Sequence, residues 1–504
     1  MTKNLSSFIL IWIFIFLFSG TGFAAGQGSD SGKLDFDLID SYIENEMAAG
    51  KIPGVALGIV KGDSIVYLKG YGSAGPGRAV TPVTPFFIGS TGKTFTALAV
   101  RQLINEGKLN ESDYIQEYIK EFNPAFERKP ENITIKQLLT HTSGLSEADG
   151  NKNYLYNSRD TTGQLVNKIH NIALNRPAGK DYEYSNLNYL VLGLLIEKVT
   201  GMSYGEYIQK EIFDRLDMKH SYVNEEKAMK NGLAAGHIIF YGMPEAVRYP
   251  FPSGAVPVGY QISSAEDMAH YLVGYLNRGY YKNESILPNN PFKLPENPLA
   301  DSYNGDWYDT YWFENTGYPV SELYLNYYGH EGANPNYTSS MKINQKSRYG
   351  IIVLANSRDT ARFLKNEVAA WTISKAVMEY AETGKLPPQT AEKGSYERIG
   401  WMAIFFSIVI VYAVFSTREL IKLKTGKSGF RGILRNLSVD FIFPASGFFL
   451  IPLYYNVSWR WLFTNNPEQN FLVLGVMLLL ILAGIMKAGV YTYLRIRVLA
   501  KNRP

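Results

Sequence analysis

The chain has no cysteine in 504 residues. Disulfides, a thiol nucleophile, thiolate metal sites and a lipid anchor on cysteine are therefore excluded. A disulfide-free exported chain fits a bacterial envelope better than a eukaryotic secretory route. Positive charge is also short over most of the length. Residues 1–415 hold 38 Lys+Arg against 43 Asp+Glu, whereas residues 416–504 hold 12 against 3. A nucleic-acid footprint would place its basic excess on the folded body, so no nucleic-acid partner is expected. Internal repeats are absent. The Gly89-Ser90-Thr91-Gly92-Lys93-Thr94 stretch looks like the end of a phosphate-binding loop but lacks its first glycine: that position is Phe87.

Long apolar runs are confined to the two ends. Lys3 precedes the run Phe8–Phe18, and small residues follow at Gly22-Phe23-Ala24 and Ala24-Ala25-Gly26. This pattern reads as an export signal over residues 1–25. Ile399–Thr417 carries no charge over 19 residues, Phe441–Trp459 is a second such stretch, and Phe471–Leu494 carries only Lys487. Each is long enough to cross a bilayer. Three transmembrane helices are expected at 399–417, 437–459 and 471–494. Arg418, Lys422, Lys424, Lys427, Arg431 and Arg435 follow the first span, and Arg495, Arg497, Lys501 and Arg503 follow the third. The positive-inside rule puts both clusters in the cytoplasm and the large domain outside. The reading is a multi-pass cell-membrane protein with the lipid bilayer as partner and an extracytoplasmic domain, and it leaves room for a homo-oligomer held through its spans. Asp440 and Lys487 are expected to pair near the cytoplasmic ends of their spans.

Between the ends, apolar periodicity predicts helices over 33–50, 91–106, 186–199, 266–276 and 368–380. Strands are predicted at 55–60 and 64–69 around the turn Lys61-Gly62-Asp63, and at 323–328, 339–344 and 349–355. Strands at both ends with helices between them imply an α/β domain at 34–380. Its antiparallel sheet is built from both ends of the domain, with a helical insert. Residues 381–398 read as a linker to the membrane.

Three distant motifs carry the chemistry. Ser90-Thr91-Gly92-Lys93 sets a hydroxyl and an amine three residues apart, on one face of a helix. Tyr184-Ser185-Asn186 supplies a phenol and an amide. His330-Glu331-Gly332 supplies a polar side chain and a glycine that lets backbone approach a substrate. Together they provide a nucleophile, a base, a proton donor and a docking edge, the set needed for acyl transfer through a serine ester.

The segment Phe86–Thr96 resembles the nucleophile region of class C β-lactamase and penicillin-binding-protein-like serine hydrolases. Ile133–Leu145, with His141, is similar to another signature of that family, and Tyr184-Ser185-Asn186 to its second motif. His330-Glu331-Gly332 resembles the H-x-G form of its third motif. The resemblance covers roughly 34–380. It implies a β-lactamase/transpeptidase-like α/β fold and an acyl-enzyme on Ser90, with Lys93 as base and Tyr184 as proton donor. It assigns Asn186 to holding Lys93 and the acyl amide, and the N–H groups of Ser90 and Ala333 to the oxyanion hole. His330 and Gly332 would then line the substrate edge, with His141 structural. No cofactor or metal is required.

With three C-terminal spans, the chain also looks like prodrug-activating peptidases of the colibactin type, which remove an N-acyl-D-asparagine cap. Asn334 matches a position that reads the D-asparagine amide in those enzymes. Glu331 stands where glycine is expected, and Ala255 where the colibactin enzyme has a substrate-facing histidine. The substrate expected is a small peptide-like or ester molecule, foremost one of D configuration. A D,D-carboxypeptidase or esterase, or a non-catalytic penicillin-binding-type sensor, are the alternatives.

Overall fold

Val55, Ala56, Leu57, Ile59 and Val60 form a nearly continuous apolar run, which suits a strand covered on both faces. All five are fully buried. The computed structural model describes residues 34–152, 155, 159–240, 242–286, 306–309, 312–315, 327–359, 368–389 and 467–501, with isolated positions between 407 and 450. The elements that position the site begin with helix α1 (Phe36–Gly50), strands β1 (Gly54–Lys61), β2 (Ser64–Gly75) and β3 (Arg78–Ala79), and helices α2 (Lys93–Asn105), α3 (Asn186–Thr200) and α4 (Ala265–Leu276). Strands β4 (Asp306–Asp309), β5 (Trp312–Asn315), β6 (Tyr327–Asn334), β7 (Tyr337–Asn344) and β8 (Tyr349–Ala355) follow. Helices α5 (Ala369–Thr383) and α6 (Pro467–Lys501) come last.

The eight strands form one sheet in the order β4-β5-β6-β7-β8-β1-β2-β3. The junction of the two chain ends is the antiparallel β1–β8 pair, with Leu57 opposite Val353. This is the expected arrangement of one sheet built from both ends, with the helical insert between. Strand β8 has the predicted bounds. Strand β6 covers 327–334 rather than 323–328, so it contains the third motif instead of preceding it. Strands β4 and β5 were not predicted from the sequence.

Register assigns the faces. Paired residues share a side, so Leu57, Ile59, Ile351 and Val353 face one way, and Ala56, Gly58, Ile352 and Leu354 the other. The first side is covered by α1 and α5. Tyr67 and Tyr71 of β2 each donate to Asp40 of α1 at 2.7 Å, and Ser340 of β7 meets Ser374 of α5 at 2.5 Å. The second side packs on α4 and the helical insert. A β-carbon at Gly58 would lie 3.1 Å from the Ala265 carbonyl. Helix α3 is the hub of the insert, with Leu187 through Ile196 all buried.

Helix α5 runs three residues past the expected end, to Thr383, where Gly384 closes it in the left-handed conformation at φ 71°. Residues 1–25 and 390–398, and nearly all of 399–417 and 437–459, lie outside the described residues, as does Asp440. Lys487 Nζ lies 5.3 Å from the Tyr412 ring centre. Within α6, Val473–Tyr493 is long and apolar enough to cross a membrane by length and composition.

Close approach between β6 and the segment before Ser90 fixes the site. A β-carbon at Gly332 would lie 2.1 Å from the Ile88 carbonyl oxygen and 2.2 Å from Ser339 Oγ. Forcing a methyl into such contacts costs typically about 1–3 kcal/mol. Gly332→Ala is therefore expected to lower the thermal unfolding midpoint by several degrees, followed by intrinsic fluorescence. An unchanged midpoint would contradict this packing.

Candidate active site

Residues Gly89–Gly92 form a single 3-10 turn that runs straight into α2. In that geometry side chains three residues apart eclipse, which brings Ser90 and Lys93 together more closely than the expected α-helical face. Lys93 Nζ is in hydrogen-bond contact with Ser90 Oγ at 3.1 Å. It donates to Asn186 Oδ1 at 2.8 Å and to the Val258 carbonyl at 2.5 Å. Lys93 is fully buried, and these three partners are neutral. Burial among them pushes the amine well below its ordinary pKa. A buried neutral lysine three ångströms from a serine hydroxyl can take that hydroxyl's proton.

The second motif approaches from the insert. The Tyr184 hydroxyl donates to Ser90 Oγ at 2.8 Å. Burial raises the phenol's pKa and the Glu147 carboxylate adds to the rise, against a lowering by the Ser90 bond. Ser185 caps α3, accepting from the Leu187 N–H at 3.3 Å. Asn186 is the first residue of α3, and this places its amide oxygen on the lysine.

His141 holds this turn from behind. Its ring stacks on Tyr184 with centroids 4.5 Å apart. Its Nδ1 accepts from the Ser185 N–H at 3.1 Å and meets the Asn188 amide at 2.8 Å. Burial first, then the nearby Lys93 and His330, depress its basicity. The histidine of the 133–145 stretch is thus a support for Tyr184.

The third motif lies along β6. His330 pairs with Met341 and Gly332 with Ser339, on the sheet side that faces the insert. Glu331 and its partner Ser340 face the opposite side, where Glu331 bonds Lys342 at 2.5 Å. The charge at the middle motif position therefore points away from Ser90. His330 is buried, and burial together with Lys93 pushes its pKa down to about 3, so the ring is neutral. Its Nδ1 lies 2.8 Å from the Glu331 carbonyl. Ala333 borders the nucleophile turn: a β-carbon at Gly89 would lie 2.4 Å from the Ala333 nitrogen. Strand β5 pairs with β6 only at residues 327–329, so its pairing ends just before the motif. Asn334 is buried and donates to the Gly259 carbonyl at 3.2 Å, with Tyr260 beside it.

All the expected residues except Asn334 converge on Ser90 or border its turn directly; Asn334 sits one residue beyond, in the wall. Two supports were not read from the sequence. The Val258 carbonyl is backbone and leaves no side-chain signature. Gln261 anchors the start of α2 by donating to the Gly92 carbonyl at 3.1 Å, and only its polar character within an apolar stretch marks it. Among the described residues no group of three or more His, Asp or Glu is placed to hold a metal ion.

Known proteins with this arrangement are numerous. The "Protein flp" of Staphylococcus aureus (strain MW2) is 32% identical over 320 residues, which cover 63% of this chain and 62% of that protein. The "Teichoic acid D-alanine hydrolase" of Staphylococcus aureus (strain MRSA252) is 33% identical over 204 residues, covering 40% of this chain and 48% of that protein. An octameric penicillin-binding protein homologue from Pyrococcus abyssi superposes with a TM-score of 0.58 at 28% identity, over 70% of this chain and 78% of that one. The Beta-lactamase family model matches residues 39–372, which span the sheet, the insert and all three motifs: the chain belongs to the beta-lactamase family.

Proposed function

We propose that the protein is a membrane-anchored, extracytoplasmic serine hydrolase that cleaves amides or esters of D-configured amino acids through an acyl-enzyme on Ser90. The observation that carries this reading is the environment of Ser90 Oγ, with a buried lysine amine at 3.1 Å, its pKa lowered by burial, and a phenol at 2.8 Å. The name of the teichoic acid D-alanine hydrolase supports the D configuration, and the apolar segment 473–493 supports the anchor.

In this mechanism Ser90 Oγ attacks the carbonyl carbon and its proton moves to Lys93 Nζ. The developing oxyanion is received by the N–H groups of Ser90 and Ala333, each such donor typically contributing about 3 kcal/mol. Tyr184 gives its proton to the leaving nitrogen or oxygen and regains one from the Lys93 ammonium. Water then takes the place of the leaving group beside Tyr184. It attacks the ester, passes a proton back through Tyr184 and Lys93, and releases the acid and Ser90. Asn186 keeps Lys93 aimed at Ser90, and the backbone of β6 beyond Gly329 pairs with an extended substrate. An N-acyl-D-asparagine cap is one substrate of this class. To recognise its amide, Asn334 would have to exchange its bond to Gly259.

Ser90→Ala is expected to abolish hydrolysis of N-acyl-D-alanyl and N-acyl-D-asparaginyl amides and esters, read by mass spectrometry, with an unchanged unfolding midpoint. Cleavage of L-isomers at equal rates would overturn the stereochemical part alone. Tyr184→Phe is expected to lower kcat about 10²–10⁴-fold on amides; with nitrophenyl esters, whose leaving group needs no proton, the burst of nitrophenol release should survive while steady-state turnover falls. Lys93 must be neutral to act, so kcat/KM rises with pH as it deprotonates. That limb should lie well below the ordinary lysine pKa of about 10.4. Tyr184, raised above its usual value, stays protonated and adds no fall below about pH 10. A rising limb at the ordinary lysine value would contradict the assignment of Lys93.

A further inference from the structure

A neutral amine has two N–H donors and one lone pair, and the surroundings of Lys93 sort them. Asn186 Oδ1 and the Val258 carbonyl can only accept, at 2.8 and 2.5 Å, so they take both hydrogens. Ser90 Oγ already accepts from the Tyr184 hydroxyl, which leaves its own hydrogen for the lone pair at 3.1 Å. The aim of the base therefore depends on where the two acceptors are held. Asn186 is fixed at the start of α3. Val258 lies in the single helical turn Val256–Gly259, too short to hold itself in place.

A buried chain of polar groups holds that turn. Thr96 lies one turn after Lys93 on α2, and its hydroxyl donates to the Pro257 carbonyl at 2.9 Å. Its one hydrogen is thereby committed, so the Tyr204 hydroxyl donates to Thr96 Oγ at 2.7 Å. The Tyr204 oxygen accepts from the Gln261 amide at 2.6 Å, and the same nitrogen donates to the Gly92 carbonyl at 3.1 Å. The carbonyls at the two ends can only accept, which fixes the direction of every bond and the orientation of the amide. Thr96 and Gln261 are fully buried, and Tyr204 is 2% exposed. The chain starts at the residue before Lys93 and ends at the residue before Val258, so it closes a ring that includes the Lys93–Val258 bond.

The Gln261 amide oxygen is buried with no hydrogen-bond partner among the described residues. An apolar side chain of that size would fill the space without this cost. It could not donate to Gly92 and Tyr204.

We infer that Thr96, Tyr204 and Gln261 are positioning residues for the base: through Pro257 they hold the Val258 carbonyl on Lys93 and keep its lone pair turned to Ser90. The inference rests on the hydrolase reading and adds residues that act through Lys93 rather than on the substrate. Without the tie the turn at Val258 moves and the amine rotates, while β6 and the substrate edge stay in place.

The test uses the full chain in detergent with the nitrophenyl ester of N-acetyl-D-alanine, reading acylation as the burst of nitrophenol. Thr96→Val keeps the shape of the side chain and removes the hydroxyl; Thr96→Ser keeps the hydroxyl. Thr96→Val is expected to slow the burst roughly 10–100-fold, as a small misplacement of a reacting group does. The ester concentration that half-saturates the burst should stay within about twofold. Thr96→Ser should stay near the parent. Tyr204→Phe, which lets the Thr96 hydroxyl turn, should show the same split at a smaller size. Added to Thr96→Val it should cost little more, because the chain is already cut. A merely structural role would lower the unfolding midpoint and leave the burst rate of the folded protein alone. If Thr96→Val fails to fold, Tyr204→Phe carries the same readings. Crystal structures of the parent and the variant report the tie without turnover: the Val258 carbonyl is expected to leave Lys93. An unchanged burst rate in Thr96→Val, an equal loss in Thr96→Ser, or a Val258 carbonyl still bonded to Lys93 in Thr96→Val would each overturn the inference. A parent with no Ser90-dependent burst, together with an opened contact in Thr96→Val, would strike the hydrolase reading and spare the tie.

Discussion

Burial of one amine organises the site. Lys93 has no solvent contact, and its hydrogen-bonding neighbours are a hydroxyl, an amide oxygen and a carbonyl. A charged ammonium there would have lost its water with no anion to replace it, so the neutral form is favoured. The neutral form is also the one that can accept a proton. The same burial acts on its neighbours: His141 and His330 are held below their ordinary basicity chiefly by desolvation. Tyr184 is held above its ordinary value. A base made more willing to be neutral and an acid made less willing to ionise thus flank one hydroxyl, the division of roles that acyl transfer needs.

The fold's contribution is to bring three distant segments to that amine with no room between them. Gly89, Gly259 and Gly332 are the contact points. A β-carbon at any of them would run into backbone: Ala333 from Gly89, Gly89 from Gly259, and Ile88 from Gly332. Glycine at these positions lets the nucleophile turn, the Val258 segment and β6 lie directly on one another. Gly89, at φ 54°, also needs the conformation that only glycine adopts readily. The sheet fixes β6 through β7 and β8 to β1, and α3 fixes Tyr184 and Asn186 from the other side. A shift of any one would break the contacts that keep water from Lys93.

Much of this was legible in the sequence. The Ser90–Lys93 spacing, the apolar helix after Tyr184-Ser185-Asn186 and the apolar strands at both ends led to the right elements and the right sheet junction. The third motif lies beside the Ser90 turn, but the strand that carries it was expected at 323–328. Asn, Gly and Pro are frequent before Tyr327, and His330-Glu331-Gly332 has no apolar alternation of its own, so the strand is visible only through its pairing with β7. Period-two alternation alone would have turned Glu331 away from His330 and removed it from the site. Strands β4 and β5, at Asp306–Asn315, lack a run that separates them from loop. The Val258 carbonyl and the 3-10 turn at Ser90 are backbone features that depend on tertiary contacts.

The central claim is that burial makes Lys93 lose its proton far more readily than an ordinary lysine, so that it serves as the base. The direct measurement is the side-chain ¹⁵N resonance of Lys93 in the full chain in detergent, assigned with Lys93→Arg and followed over pH. The account predicts that it titrates well below the other lysines. A Lys93 resonance that stays in the ammonium position until about pH 10.4, together with the solvent-exposed lysines, would contradict it.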